Sequence, residues 1–352
     1  MDTDTLDAFW LFVYERQEVF YKRSILHQRA PWTEDSVIAQ ARFTNVYREL
    51  DRGTKFLVEE ILENKDVTTS VTSAITNILV YRFFNRIDTW LDIQPFVNIY
   101  EEAHTDEEKK LITDEIYRVL TERRIANKKL YTGAYMAVYC PNLGGIDKTE
   151  NAAIMIRNIS EHARLISQLI RSPRGSTKGI YEYLIANLKG FGRFLAFQCA
   201  LDFTYPLLRQ DITTFAIEHG DGLAYRKIAP LANQYAWVKA GPGCVSGLQI
   251  LQLKDAGIDK VNCAEMMNMY HSQRHHFNRL GLDMKFMRTC SGQEIILSPT
   301  NIEHSLCEFQ KWWRMIGGGH IKTIWTAPSS IEWKSKFDTL PAYGKWSEGE
   351  NT

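Results

Sequence analysis

The sequence predicts an all-α protein with two helical lobes. Apolar residues recur at helical spacing over most of the 352-residue chain. A Pro/Gly-rich stretch, Pro141-Asn142-Leu143-Gly144-Gly145, interrupts that periodicity. It divides the chain into a lobe at 1–140, a second lobe at 146–325 and a loose tail at 326–352. Strand-like alternation occurs in one short place, a β-hairpin near residue 290. Lys+Arg and Asp+Glu both number 42, so the net charge is zero. A nucleic-acid partner would therefore need local basic patches rather than a global field. Six cysteines are scattered without CxxC pairs, and no apolar run reaches membrane length. With no signal peptide in view, the expectation is a reduced, cytoplasmic protein.

Taken in order, residues 5–22 read as an amphipathic helix whose aromatics belong to the core. Pro31-Trp32-Thr33 then opens a predicted long helix from Glu34 to Glu63. Its apolar stripe is Phe43, Val46, Leu50, Leu57 and Ile61. Arg42, Asn45, Glu49 and Arg52 share another face at offsets of three, seven and ten, with Arg48 alongside. Spacing alone favours a solvated, ion-paired face. From Val67 to Asn85 the helix is so apolar that it should be buried, and its one charged residue, Arg82, needs either a route for its head to water or an anionic partner such as Glu49 or a ligand phosphate. Asn85 and Arg86 lie one turn on. Residues 104–128 form a charged surface helix, and 149–171 another helix.

Arg171, Arg174 and Lys178 give three cations in eight residues with no acid. They lead into two apolar helical runs separated by Gly190-Phe191-Gly192, which reads as helix, tight hairpin, helix. Such a turn points backbone N–H groups outward, where a DNA phosphate fits. Asp202 and Asp211 follow. Gly241-Pro242-Gly243-Cys244-Val245-Ser246-Gly247 reads as a glycine-rich loop entering a helix that ends at Gly257, a second anion cradle. No GxxxxGK[ST] occurs, which argues against a Walker-type kinase. His271, His275 and His276 lack an evident third metal ligand. Thr300 with Glu303 reads as a capping box opening the last long helix. That helix buries Ile302, Leu306, Phe309, Trp313 and Ile316, and turns His304, Cys307, Glu308 and Lys311 the other way.

Lys189-Gly190-Phe191-Gly192, followed by Ala196, resembles the helix-hairpin-helix of DNA repair glycosylases. Three longer stretches, Arg42–Arg52, Gly241–Leu248 and Ile302–Lys311, together with Tyr81–Asn85 and Tyr131–Tyr135, resemble one family in order and spacing. It comprises the helical domain of phage 5-hydroxymethyluracil DNA kinases and the related α-glutamyl/putrescinyl-thymine pyrophosphorylases. Cys244-Val245-Ser246 and Gln310-Lys311-Trp312 depart from its pattern. The resemblance implies a DNA-glycosylase-like fold and a role in thymidine hypermodification in an infected bacterial cell. An amine, from an amino acid or a polyamine, would displace pyrophosphate from pyrophosphorylated 5-hydroxymethyluracil in duplex DNA.

On that reading Arg42, Arg48, Arg52 and Arg82 would hold the leaving group. Asn45, Asn85 and His304 would contact the base or orient those arginines. Asp202 is the preferred base, with Glu303 and Glu308 behind it, and Glu49 joins the catalytic set as the carboxylate that holds the arginines in fixed rotamers. Lys189, Gly190, Gly192, Gly241, Gly243, Arg174 and Lys178 would hold DNA. No cofactor is implied beyond Mg2+ as a bridge to the pyrophosphate, and a 5-hydroxymethyluracil DNA kinase is a candidate partner. Two alternatives stay open: a DNA glycosylase, and a non-catalytic DNA-binding module serving such a kinase.

Overall fold

In a computed structural model, the chain is described at residues 3–62, 64, 66–132, 142–170, 172, 175–204, 237–288 and 294–318. Among these residues it is helical, apart from one two-stranded ribbon. They form two compact units: residues 1–52 with 234–352, and residues 53–233. The first unit thus draws on segments that precede and follow the second along the chain.

The first unit opens with α1 (Thr3–Phe20), whose Phe9, Trp10, Phe12 and Val13 are buried. The short α2 (Ser36–Gln40) follows, its N-terminal N–H groups taken by the Asp35 carboxylate. The long helix expected from Glu34 to Glu63 does not form. After α2 the chain is irregular and makes a 3-10 turn at Arg48–Leu50; it becomes helical again where the second unit begins, as α3 (Arg52–Phe56), continued by a π-turn at Leu57–Leu62. Side chains explain the break. Asp51 accepts the backbone N–H of Asn45, and the Asn45 amide donates to the Leu50 carbonyl. Such local bonds offer the backbone an alternative to the helix. Arg42, Asn45, Glu49 and Arg52 therefore do not share a helical face.

The unit closes with α10 (Pro242–Ile250), α11 (Asp259–Arg279), the ribbon and α12 (Pro299–Ile316). The ribbon pairs Met287 with Ile295 and Arg288 with Glu294, where the hairpin was expected. Tyr47 ties the ribbon to the N-terminal segment, donating from its hydroxyl to the Ile295 carbonyl at 2.6 Å. Phe9 and Phe12 pack on Phe309, and Trp10 on Phe277 and His276.

The second unit surrounds α4 (Val71–Phe84), which is almost wholly buried, as its composition required. Helices α5 (Ile87–Ile99), α7 (Lys148–Ile170) and α9 (Arg193–Asp202) pack against it. Helix α6 (Asp106–Ile125) lies on α5 and α7, and a Thr105/Glu108 capping box opens it. Helix α8 (Thr177–Asn187) packs on α9. No helix among the described residues is long and apolar enough to cross a membrane.

Candidate functional site

Among the described residues, each unit contains a buried polar cluster built from residues singled out in the sequence. In the first unit it is built by the 3-10 turn and the starts of α10 and α12. Ser298, not Thr300, caps α12, and Pro299 begins it. This puts Asn301 and Glu303 in the buried first turns rather than in a capping box. The Asn301 side chain accepts the Arg48 backbone N–H at 3.1 Å and also hydrogen-bonds to Glu49. Glu49 is buried, and its Oε2 has no hydrogen-bond partner among the described residues. Glu303 accepts the backbone N–H of Gly241 at 3.0 Å. The start of α10, expected to cradle an external anion, thus already holds a carboxylate of the protein itself. His304 Nε2 lies 3.6 Å from Asp51, and Glu308, also buried, pairs with Lys311.

Burial dominates the electrostatics here. It raises the proton affinity of Glu49 above the ordinary glutamate value, against the pull of the Asn301 amide and Arg48. It does the same to Glu303, against the Gly241 N–H, His304 and Arg48. The Cys307 thiol is pushed up to about 11, by burial first and then by Glu303 and Glu308. A buried carboxyl group whose proton affinity is raised in this way is suited to accept a proton.

The glycines of this region answer to packing. Gly243 and Gly247 lie inside α10, not in a loop, and face α12. A Cβ on Gly247 would sit 2.5 Å from the Leu306 carbonyl oxygen, and one on Gly243 would overlap the Cys307 sulfur. They let two helix backbones approach.

In the second unit Arg82 finds its partner. It donates to both carboxylate oxygens of Asp202, from Nε at 2.6 Å and Nη2 at 2.5 Å, with both residues buried. Its Nη1 donates to Asn85 at 2.8 Å, and Asn85 in turn reaches Thr132. Asn85 takes the left-handed conformation (φ 48°) that ends α4, a position asparagine tolerates. The sequence proposed Asp202 as a free base and Glu49 as a partner for Arg82; the geometry makes Asp202 the Arg82 partner, with both oxygens engaged.

The hairpin between α8 and α9 is tight, as expected. Gly190 has φ 102°, while Gly192 has an ordinary φ of −67° and open space where a Cβ would be. Gly192, Arg193 and Phe194 are exposed at the start of α9, and Lys189 donates to the Asn142 carbonyl.

The predicted residues therefore sort into two groups. Arg48, Glu49, Glu303, His304, Glu308 and Gly241 come together in the first unit, and Arg82, Asn85 and Asp202 in the second. Arg42 and Arg52 are exposed, and Asn45 serves the turn. Lys178 is exposed and pairs with Glu182 at 3.7 Å. Arg174, Asp211, residues 133–141 and the tail lie outside the described residues. No group of three or more His, Cys, Asp or Glu among the described residues could hold a metal ion. His276 instead stacks on Trp10.

Two residues escaped the sequence reading. Asn301 links Arg48 to Glu49. Arg16 is 4% exposed, donates from Nη2 to Thr44, and has no partner at Nε or Nη1 among the described residues. Its signal was there: it stands four residues after Phe12 and seven after Phe9, on the buried face of α1.

The family of the 5-hmdU DNA kinase helical domain matches residues 3–319. The 5-hmdU DNA kinase of Bacillus phage SP10 is 25% identical over 312 residues, which cover 87% of this chain and 44% of that kinase. The chain thus spans less than half the length of this relative. No solved structure matches. The chain belongs to the family of 5-hmdU DNA kinase helical domains.

Proposed function

We propose that the chain acts on DNA in thymine hypermodification, as a transferase that replaces pyrophosphate on pyrophosphorylated 5-hydroxymethyluracil with an amine. The observation that carries this reading is the burial of two carboxyl groups, Glu49 and Glu303, each with raised proton affinity and each under the influence of Arg48. In the reaction the amine nitrogen bonds to the 5-methylene carbon. The carbon–oxygen bond to pyrophosphate breaks, and pyrophosphate leaves with that electron pair. The attacking nitrogen gives up a proton, which a carboxylate of raised basicity accepts well. Glu49, with one oxygen unpartnered, is the better acceptor; Glu303 is tied to Gly241. Arg48 supplies a fixed positive charge for the developing anion. Asp202 then serves to hold Arg82 rather than to move a proton. The modified base must leave the stack to be reached, and the exposed start of α9 offers backbone N–H groups to a DNA phosphate.

One observation favours a second reading. The resemblance is to the helical part of a kinase, and covers 44% of it. A DNA-holding module that presents DNA to a separate kinase would fit that. Incubation with duplex DNA carrying pyrophosphorylated 5-hydroxymethyluracil and a panel of amines, followed by mass spectrometry of the nucleosides, decides. A new amine adduct supports the transferase. Unchanged nucleosides, with DNA binding retained, support the module, and a missing base would mean a glycosylase.

A further inference from the structure

The end of α11 and the ribbon enclose a cavity of about 510 Å³ that shares no lining residue with the Glu49 cluster. Gly281, with φ 67°, turns the chain after α11, and the Leu282 N–H donates to the Phe277 carbonyl at 2.9 Å. The returning segment buries Met284 and Phe286, and Phe286 meets Phe277 edge to face at 5.8 Å. These side chains are the apolar part of the lining. Polar groups stand among them. Arg274 lies over the Phe286 ring, 5.0 Å from its centre, and donates from Nη2 to Glu294 of the ribbon at 2.7 Å. Ring and carboxylate together hold the guanidinium plane. Asp283, paired with Lys285, is a second carboxylate of the lining. The cavity thus has the size of a small-molecule site, an apolar part, one fixed fork of donors and an excess of acceptors.

We propose that this cavity receives a guanine base, with Glu294 accepting from its N1–H and 2-amino group and Arg274 donating to its O6 and N7. The proposal goes beyond the amine-transfer reading and holds whichever reaction the Glu49 cluster performs. The lining selects among ligands. Guanine places two donors side by side, which suits a carboxylate, and next to them two acceptors, which suit an arginine. Its flat face packs on apolar and guanidinium surfaces. Thymine has one N–H between two carbonyls, and would set those carbonyls against the acidic side chains. Adenine and cytosine bring an amino group without a ring N–H beside it. Phosphate or pyrophosphate would meet two carboxylates with one arginine. A linear polyamine makes no use of a donor fork and meets it with like charge. The base comes either from a free nucleotide or from a DNA residue out of its stack.

The test uses the full chain and the four 2′-deoxynucleosides, with binding measured by calorimetry and saturation-transfer NMR. Deoxyguanosine should bind more tightly than the other three. Deoxyinosine, which lacks only the 2-amino group, should bind about 10–100-fold more weakly, because a hydrogen bond to a charged acceptor is lost. Glu294→Gln should weaken deoxyguanosine by a similar factor and erase its advantage over deoxyinosine. Arg274 is half-exposed, so Arg274→Ala should keep the fold and also weaken deoxyguanosine. No binding, equal binding of the four nucleosides, preference for thymidine, or parity of deoxyguanosine and deoxyinosine overturns the proposal. Should either variant fail to fold, the comparison of deoxyguanosine with deoxyinosine on wild-type protein still decides. A second arm reads the source of the base. A duplex with one unpaired, extrahelical dG is compared with the same duplex carrying an extrahelical dT. Tighter binding of the first, erased by Glu294→Gln, assigns the cavity to a base of DNA. Parity of the two duplexes, with the nucleoside preference intact, assigns it to a free nucleotide.

Discussion

Arg82 and Asp202 hold each other by two short bonds in the interior of the second unit. Removing one partner strands the other, which costs about 3–5 kcal/mol. Arg82→Ala should therefore lower the melting temperature sharply, and Asp202→Asn should do so too. Arg52 is exposed, and Arg52→Ala should stay within about 0.5 kcal/mol of wild type. If Arg82→Ala melted like wild type, the pair would not support the fold. The apolar helix showed that Arg82 needed either an anion or a route to water. It did not show which one, since Asp202 lies 120 residues away along the chain. Glu49 makes a different prediction. Its folded proton affinity is raised, so the native state binds more protons than the unfolded state once pH exceeds the ordinary glutamate value. Stability contributed at this site is thus lost as pH rises through the folded value. Glu49→Gln should be more stable than wild type at pH 7.5, and the advantage should vanish near pH 4. Urea unfolding at the two pH values checks the sign; an advantage that grew on acidification would contradict it.

At the level of elements, the tight turn between α8 and α9 distinguishes its two glycines. Gly190 needs a positive φ that a Cβ resists, at about 1–2 kcal/mol, whereas Gly192 does not. Gly190→Val should cost both stability and duplex binding, while Gly192→Ala should leave stability close to wild type. Thermal melts paired with a DNA-binding titration read both. Equal tolerance at the two positions would remove the turn from the DNA-holding role. This element was legible from Lys189 to Ala196, because local steric rules determine a two-glycine turn. The segment 34–63 was not legible. Its apolar spacing is helical, but Asn45 and Asp51 divert the backbone through side-chain bonds that no period detects. Gly241–Gly247 misled for the opposite reason. Glycine disfavours a helix by about 1 kcal/mol, yet here close approach to α12 requires it. The motifs from Arg42, Gly241 and Ile302 meet in one cluster, which their order along the sequence could not disclose.

At the scale of the whole molecule, the second unit is one continuous stretch, while the first is made from both ends of the chain. A fragment of residues 53–233 should give a cooperative helical melt by circular dichroism. A chain lacking residues 1–52 should keep that melt and lose the transition of the first unit, because Phe9, Phe12 and Tyr47 would be gone from its core. Loss of both transitions would mean that the two units do not fold separately. The division also sets a timetable for synthesis. The ribosome releases α1 before α12, which starts about 300 residues later, roughly 15–60 s at ordinary elongation rates. In that interval the inserted unit can be completed, while the nascent aromatic face of α1 waits for Phe277 and Phe309 to be made. An early-emerging apolar segment with a late partner is a natural client for a ribosome-bound chaperone.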